Sequence, residues 1–319
     1  MRIVLMLALA APLLAHAAEW VNISDPVTST LKPIKGGPTA DVVVDRVSGD
    51  VFMVPNGQGL WKSTDHGATF APLDNANLDV GGFCGTAWAL QADPNGRRLF
   101  CFMNFGSSAM TTDGGKTWTK SATSDLDFGA VDWADSGKRV LAIRHGNAGA
   151  LATSDDGGET WIDEGKGFGR CGVFDRSTFV VTRANERGIF RSGDAGATWA
   201  RVSNDTPAAA VPVIFKGAGY WSAGKGILAS KDKGLTWTWL GAPVDASFGP
   251  YFGESELHFV VVGRSGFLET KDGGKSFLPA APLPPGFGVN PVGPSYAWDP
   301  NADIFYASMM TKPTYKLQR

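Results

Sequence analysis

The stretch "TSDDGGETW", residues 153–161, crowds Asp155, Asp156 and Glu159 around two glycines and stops at a tryptophan. A metal loop, a catalytic acid cluster and a structural turn all use these residue types, and repetition decides between them. The frame Ser/Thr-x-Asp-x-Gly-x-Thr/Ser-Trp/Phe, here Ser154, Asp156, Gly158, Thr160 and Trp161, occurs five more times. The copies are "STDHGATF" from Ser63, "TTDGGKTW" from Thr111, "SGDAGATW" from Ser192, "SKDKGLTW" from Ser230 and "TKDGGKSF" from Thr270. Their aspartates, Asp65, Asp113, Asp156, Asp194, Asp232 and Asp272, are 48, 43, 38, 38 and 40 residues apart. A self-similar period of this length marks a chain built from stacked supersecondary units.

Each element of the frame has a mechanical role. The carboxylate accepts backbone N–H groups of its own turn, and the glycine takes positive φ. The hydroxyl residues add local hydrogen bonds, and the terminal aromatic opens the next strand and can be buried between sheets. A calcium loop of the EF-hand type would need further oxygen ligands at alternate positions and a later bidentate Glu, which are missing. These six aspartates are therefore expected to be structural, with no metal.

The six motifs resemble the Asp boxes, or BNR repeats, of sialidase-like β-propellers. The same boxes occur in sortilin-type receptors, xyloglucan-cleaving enzymes and a photosystem assembly factor. The resemblance covers nearly all of the chain after residue 17. It implies a propeller and says little about activity, because this scaffold serves many purposes.

Before each box the chain reads as three short apolar runs separated by turn residues, as in "RCGVF", "TFVVTR" and "IFRSGDAGATWARVS". Six boxes mark six four-stranded units. A seventh is split between the ends: "SYAWDPNADIFYASMMTKPTYKLQR" offers three strands without a box, and "AEWVNISD" matches the strand that follows a box elsewhere. Trp20 aligns with Trp199, Ile23 with Val202 and Ser24 with Ser203. The expected fold is all-β, a seven-bladed β-propeller of four-stranded antiparallel blades, its last blade closed by the N-terminal strand. A six-bladed ring with loose ends is the alternative.

Composition agrees, with 41 glycines and 11 tryptophans suiting a turn-rich, aromatic-filled β protein. A net charge of −2 gives no general attraction to nucleic acid or anionic membranes. Arg2, the apolar run Ile3 to Leu14 and the small-x-small "AHA" at Ala15–Ala17 read as a signal peptide, residues 1–17, cleaved near Ala17. Residues 18–319 then form a single propeller domain, a soluble periplasmic or secreted monomer with no membrane span and no cofactor. Cys84, Cys101 and Cys171 allow at most one bridge within the chain, and buried small apolar residues are an equal reading.

Strand parity separates scaffold from candidate site. With strands a to d in each blade, the a–b and c–d turns lie on one face, and the b–c turns and d–a connections on the other. The boxes sit at c–d. The opposite face carries Asn56, Asn104, Arg144 with His145, Arg183 with Arg187, Lys225, Arg264 and Lys312 in its b–c turns. Loop cations focus a positive field, and the Arg fork suits carboxylates. The competing reading is that they point outward or pair with nearby acids. The d–a connections add Asp79, Asp127 and Asp245, read as turn caps or salt-bridge partners in preference to acid/base groups. Phe128, Phe168, Phe248 and Phe287 read as aromatic plugs in preference to sugar platforms. His145 is a possible general base, and no histidine pair has metal spacing.

The resemblance would imply, for a sialidase, three arginines, a Tyr–Glu pair, an acid/base Asp and an early Phe-Arg-Ile-Pro stretch. No such stretch exists here, and Glu254 near Tyr251 falls in an a–b turn on the wrong face. Sialidase activity is not expected. The favoured function is non-catalytic binding of an anionic ligand, an acidic glycan or protein surface, through Arg144, His145, Arg183, Arg187, Lys225 and Arg264. A polysaccharide-active hydrolase or uronate-directed lyase is the alternative, and an assembly or scaffold factor a second.

Overall fold

The computed structural model describes residues 19–31, 37–73, 89–103, 106–146, 149–208, 211–289, 293–310 and 312–319. The leader 1–17, Asp79, Cys84 and Asn104 lie outside the described residues.

Seven four-stranded antiparallel sheets form the molecule. Their first strands are Thr39–Val44, Leu90–Ala92, Leu126–Val131, Phe168–Val173, Val213–Phe215, Phe248–Phe252 and Pro294–Asp299. Each first strand touches the first strand of the next blade, and Thr39–Val44 touches Pro294–Asp299, so these strands line the inside of a closed ring. The fold is a seven-bladed β-propeller, nearly all-β, with one short helix at Asp25–Thr28 among the described residues.

The seam follows the sequence expectation. The strand Val21–Asn22 pairs antiparallel with Lys312–Gln318, Val21 opposite Lys316 and Asn22 opposite Tyr315. Ile23 then packs with Val42, Val44, Ala297, Ile304 and Tyr306, joining blade seven to blade one. The pairing covers the edge of Lys312–Gln318, so blade seven, like the other six, presents only a short outer strand to other chains.

Apolar layers between neighbouring blades form the core. Leu141 and Ile143 of blade three meet Cys171, Phe179 and Val181 of blade four. Tyr220 and Ala229 of blade five meet Phe252 and Phe259 of blade six. The second strands are thus covered on both faces, which explains why "TFVVTR" reads as a continuous apolar run with no alternation. Fourth strands are exposed, as Ile162 and Leu278 show. Cys101 and Cys171 are free and buried, and burial pushes the Cys171 thiol up to about 12. Both behave as the small core residues of the blander expectation.

Every repeated turn closes on the same hydrogen-bond net. In blade three the Ser154 hydroxyl donates to Asp156 Oδ1 at 2.8 Å and accepts the Gly158 amide at 2.8 Å. The Thr160 amide and hydroxyl donate to the two oxygens of Asp156 at 2.9 and 2.5 Å. Asp65, Asp113, Asp194, Asp232 and Asp272 repeat this arrangement. Gly158 sits at φ +91°, and a Cβ there would stand 2.9 Å from the Phe100 ring. Trp118, Trp161 and Trp237 donate their indole N–H to the glycine carbonyl three residues back.

Candidate functional site

The boxes lock onto the a–b turns of their own blades. Gly114 N–H donates to Arg97, Gly157 to Lys138, Ala195 to Ser177 and Gly273 to Leu257, at 2.8–2.9 Å. Boxes and a–b turns therefore share one face, and the b–c turns with the loop cations occupy the other. Loops carried on a rigid frame are the usual seat of binding.

On that second face the side chains do not all turn inward. Arg144 Nε donates to Asp163 Oδ1 at 2.7 Å and its Nη1 to Thr123 Oγ1 at 2.8 Å, both partners in outermost strands. The Lys225 ammonium lies 4.9 Å from the ring centre of Trp239, also in an outermost strand. Asp245 Oδ2 accepts the Arg264 backbone amide at 2.9 Å, a turn cap, while Arg264 itself is exposed. Asn56 is buried and its amide ties Gly37, Thr39 and Met310 together. Phe128, Phe168 and Phe248 are buried.

Blades three and four bring the rest together. His145 Nδ1 stands 2.7 Å from Asp127 Oδ1, and the His145 amide donates to Asp125 O at 2.7 Å. Asp127 also acts electrostatically on Arg170, an inner-strand residue of blade four whose guanidinium lies 4.3 Å from the ring centre of Phe128. Burial pulls Arg170 down to about 10, with Cys171 and Asp127 acting in the opposite sense. It remains a cation at neutral pH. Arg183 lies 5.1 Å from the ring centres of both Phe168 and Phe190. Its Nε is buried and has no hydrogen-bond partner. Arg187 is exposed and makes no ion pair or hydrogen bond among the described residues.

Sequence reasoning missed Arg170. It sits inside "FGRCGV", a strand, whereas the cations that stand out in the sequence lie in turns or, like Arg144 and Arg183, at the last residue of a strand. The available signal was a lone charge in an inner strand, at its third residue.

Chemically, this sector can do two things. Arg170 and Arg183 present cations held on aromatic rings, suited to carboxylate or sulfate groups. The imidazole oriented by Asp127 can accept or deliver a proton. No group of three His, Cys, Asp or Glu that could hold a metal exists among the described residues. Nor is any helix there long and apolar enough to cross a membrane.

No protein-family model matches the chain, and no curated protein matches it. Solved structures do. YCF48 from Cyanidioschyzon merolae is 12% identical, with 95% of this chain and 99% of that one covered at a TM-score of 0.54. YCF48 bound to D1 peptide is 14% identical over 97% of each chain at 0.52. The extracellular domain of the two component system protein BT3049 from B. thetaiotaomicron is 10% identical at 0.55, covering 89% of this chain and 40% of that one. Identities this low establish a shared propeller fold and nothing finer.

Proposed function

We propose that this chain is an exported Asp-box propeller whose b–c/d–a face binds an anionic group without transforming it. Residues 1–17 would be removed on export, and residues 18–319 would act as one monomeric domain. The observation that carries the binding reading is Arg183. Its guanidinium is braced on two rings, and its Nε is left without a partner. A cation fixed in this way loses little freedom on binding, which favours carboxylate capture. Arg170, Arg187 and His145 would widen the contact, and Arg264 would add long-range attraction. Arg144, engaged by Asp163, and Lys225, laid on Trp239, would contribute charge more than contact.

The ligand class is an acidic glycan or an acidic protein surface. The peptide complex of YCF48 belongs to that protein, and for this chain a peptide ligand is an arm of the test. The experiment is titration of the protein with polygalacturonate oligomers and with an acidic peptide. Saturable binding that falls with added salt and with Arg183→Ala supports the proposal, and binding of neither ligand refutes it.

The pair His145–Asp127 favours a second reading, a polysaccharide-active hydrolase or lyase in which His145 moves the proton and Arg170 neutralises a uronate carboxylate. Release of reducing ends or unsaturated products from polygalacturonate would move the assignment to that class.

A further inference from the structure

The inner strands leave a second concavity, along the channel itself. It has a volume of about 230 Å³ and is walled by residues of all seven first strands, by Val211 and Pro212 just before the fifth, and by Arg46, Asp93, Pro94 and Trp133 of three a–b turns. Arg46 and Trp133 come from such turns, and Phe215, Phe252 and Trp298 from the ends of their strands, so this group gathers toward the box face.

The wall is largely aromatic. Trp133, Phe215, Tyr251, Phe252 and Trp298 all line it. Phe215 and Phe252 stack at 4.3 Å with an interplanar angle of 4°. The space exceeds the roughly 150 Å³ that accepts a benzene and falls short of the roughly 300 Å³ of larger ligand pockets. One ring with a short tail is the size that fits.

Charge selects the tail. Asp93 also lines the cavity, but its carboxylate is held by Arg98, whose Nε donates to it at 2.6 Å. Arg46 is in a different state. One terminal nitrogen donates to the Gly253 carbonyl at 2.8 Å, and its Nε is buried with no hydrogen-bond partner. Asp299 and Glu254 influence it electrostatically, yet no carboxylate forms an ion pair with it among the described residues. A buried donor that lacks an acceptor is suited to a ligand that brings one. Tyr251, whose hydroxyl is kept neutral by burial, supplies a further polar group on the wall.

We propose that the box-side end of the channel binds a small aromatic carboxylate, its ring among Trp133, Phe215, Phe252 and Trp298 and its carboxylate on Arg46. This site is independent of the loop face, and its failure would leave the reading of Arg183 untouched.

The test is calorimetric titration of the full chain with 3-phenylpropionate and with its neutral amide, 3-phenylpropanamide. The acid should bind at least about tenfold more tightly than the amide. Arg46→Gln should bring the acid to the affinity of the amide and leave the amide unchanged. Ala130→Phe, which fills space in the wall, should abolish binding of both, with the melting curve checked in parallel. Equal affinity for acid and amide in the unmodified protein, or no saturable binding of either at millimolar concentration, overturns the proposal without reliance on any variant.

Discussion

The carboxylate of Asp41, in the first strand of blade one, accepts the backbone amide of Leu90, in the first strand of blade two, at 2.8 Å. It also accepts the Val42 amide at 2.7 Å and bonds with the Ser295 side chain of blade seven. One acid thus ties three blades at the channel wall. Its burial is complete, and desolvation pushes its pKa from the ordinary 3.8 up to about 7 against those hydrogen bonds. A raised carboxyl contributes stability that is full below the unfolded value and is lost as pH rises through the folded one. The displacement corresponds to a swing of about 4 kcal/mol at most. Asp41→Asn should therefore flatten the fall in melting temperature between about pH 4 and 8. Scanning calorimetry of both proteins across that range is the check, and an equally steep fall in the variant contradicts it.

The box aspartates act with the opposite sign. Asp194 is held down to about 2 by bonds from Thr198 and Ser192, and Asp272 to about 2 by bonds from Ser276 and Thr270. Their contribution is present above the ordinary value and disappears as pH falls through about 2. With Asp41 pulling the other way, maximal stability is expected near about pH 4–5. Asp194→Ala should lower the melting temperature by a few degrees at neutral pH, and by less at pH 2, with binding on the loop face unaltered. An unshifted melt at neutral pH would sink the structural role of the box.

Gly158 is the backbone counterpart of that test. Its φ is +91°, and the methyl group of an alanine there would stand 2.9 Å from the Phe100 ring, so Gly158→Ala meets both strain and a clash. A loss of roughly 2–3 kcal/mol is expected in a urea titration. Ala195, at φ +58° in box four, is the mirror case: Ala195→Gly should be neutral or stabilising by up to about 1 kcal/mol.

For the loop face, Arg183→Ala should weaken binding of an acidic oligomer by roughly tenfold or more, with a drop of a few degrees at most in melting temperature from the lost packing on Phe168 and Phe190. Arg144→Ala should do less to binding, because its guanidinium is already occupied by Asp163 and Thr123. The ranking of the two variants in one titration series is the informative result.

Much of this is legible in the amino-acid sequence alone, for identifiable reasons. The box aspartates recur because each needs only its own turn, a local requirement that sequence records directly. Trp20 announces the seam because it copies the strand that follows a box. Side-chain direction is another matter. Whether Arg144 faces the channel depends on Asp163 and Thr123, both contributed by outermost strands. Arg170 is hidden in a strand, and its partner ring, Phe128, belongs to the preceding blade. The cavity beside Arg46 needs seven strands from the whole chain, so no single segment of the sequence signals it.

The pairing of Val21 with Lys316 also sets a timetable for the chain. The strand Val21–Asn22 has no partner until Lys312–Gln318 reaches it, so six blades can form in order while the ring stays open like an unfastened bracelet. Closure is then a single late event between distant ends, the slowest kind of contact for a chain to find. Until it happens, the unfinished blade is the molecule's most exposed edge to stray strands.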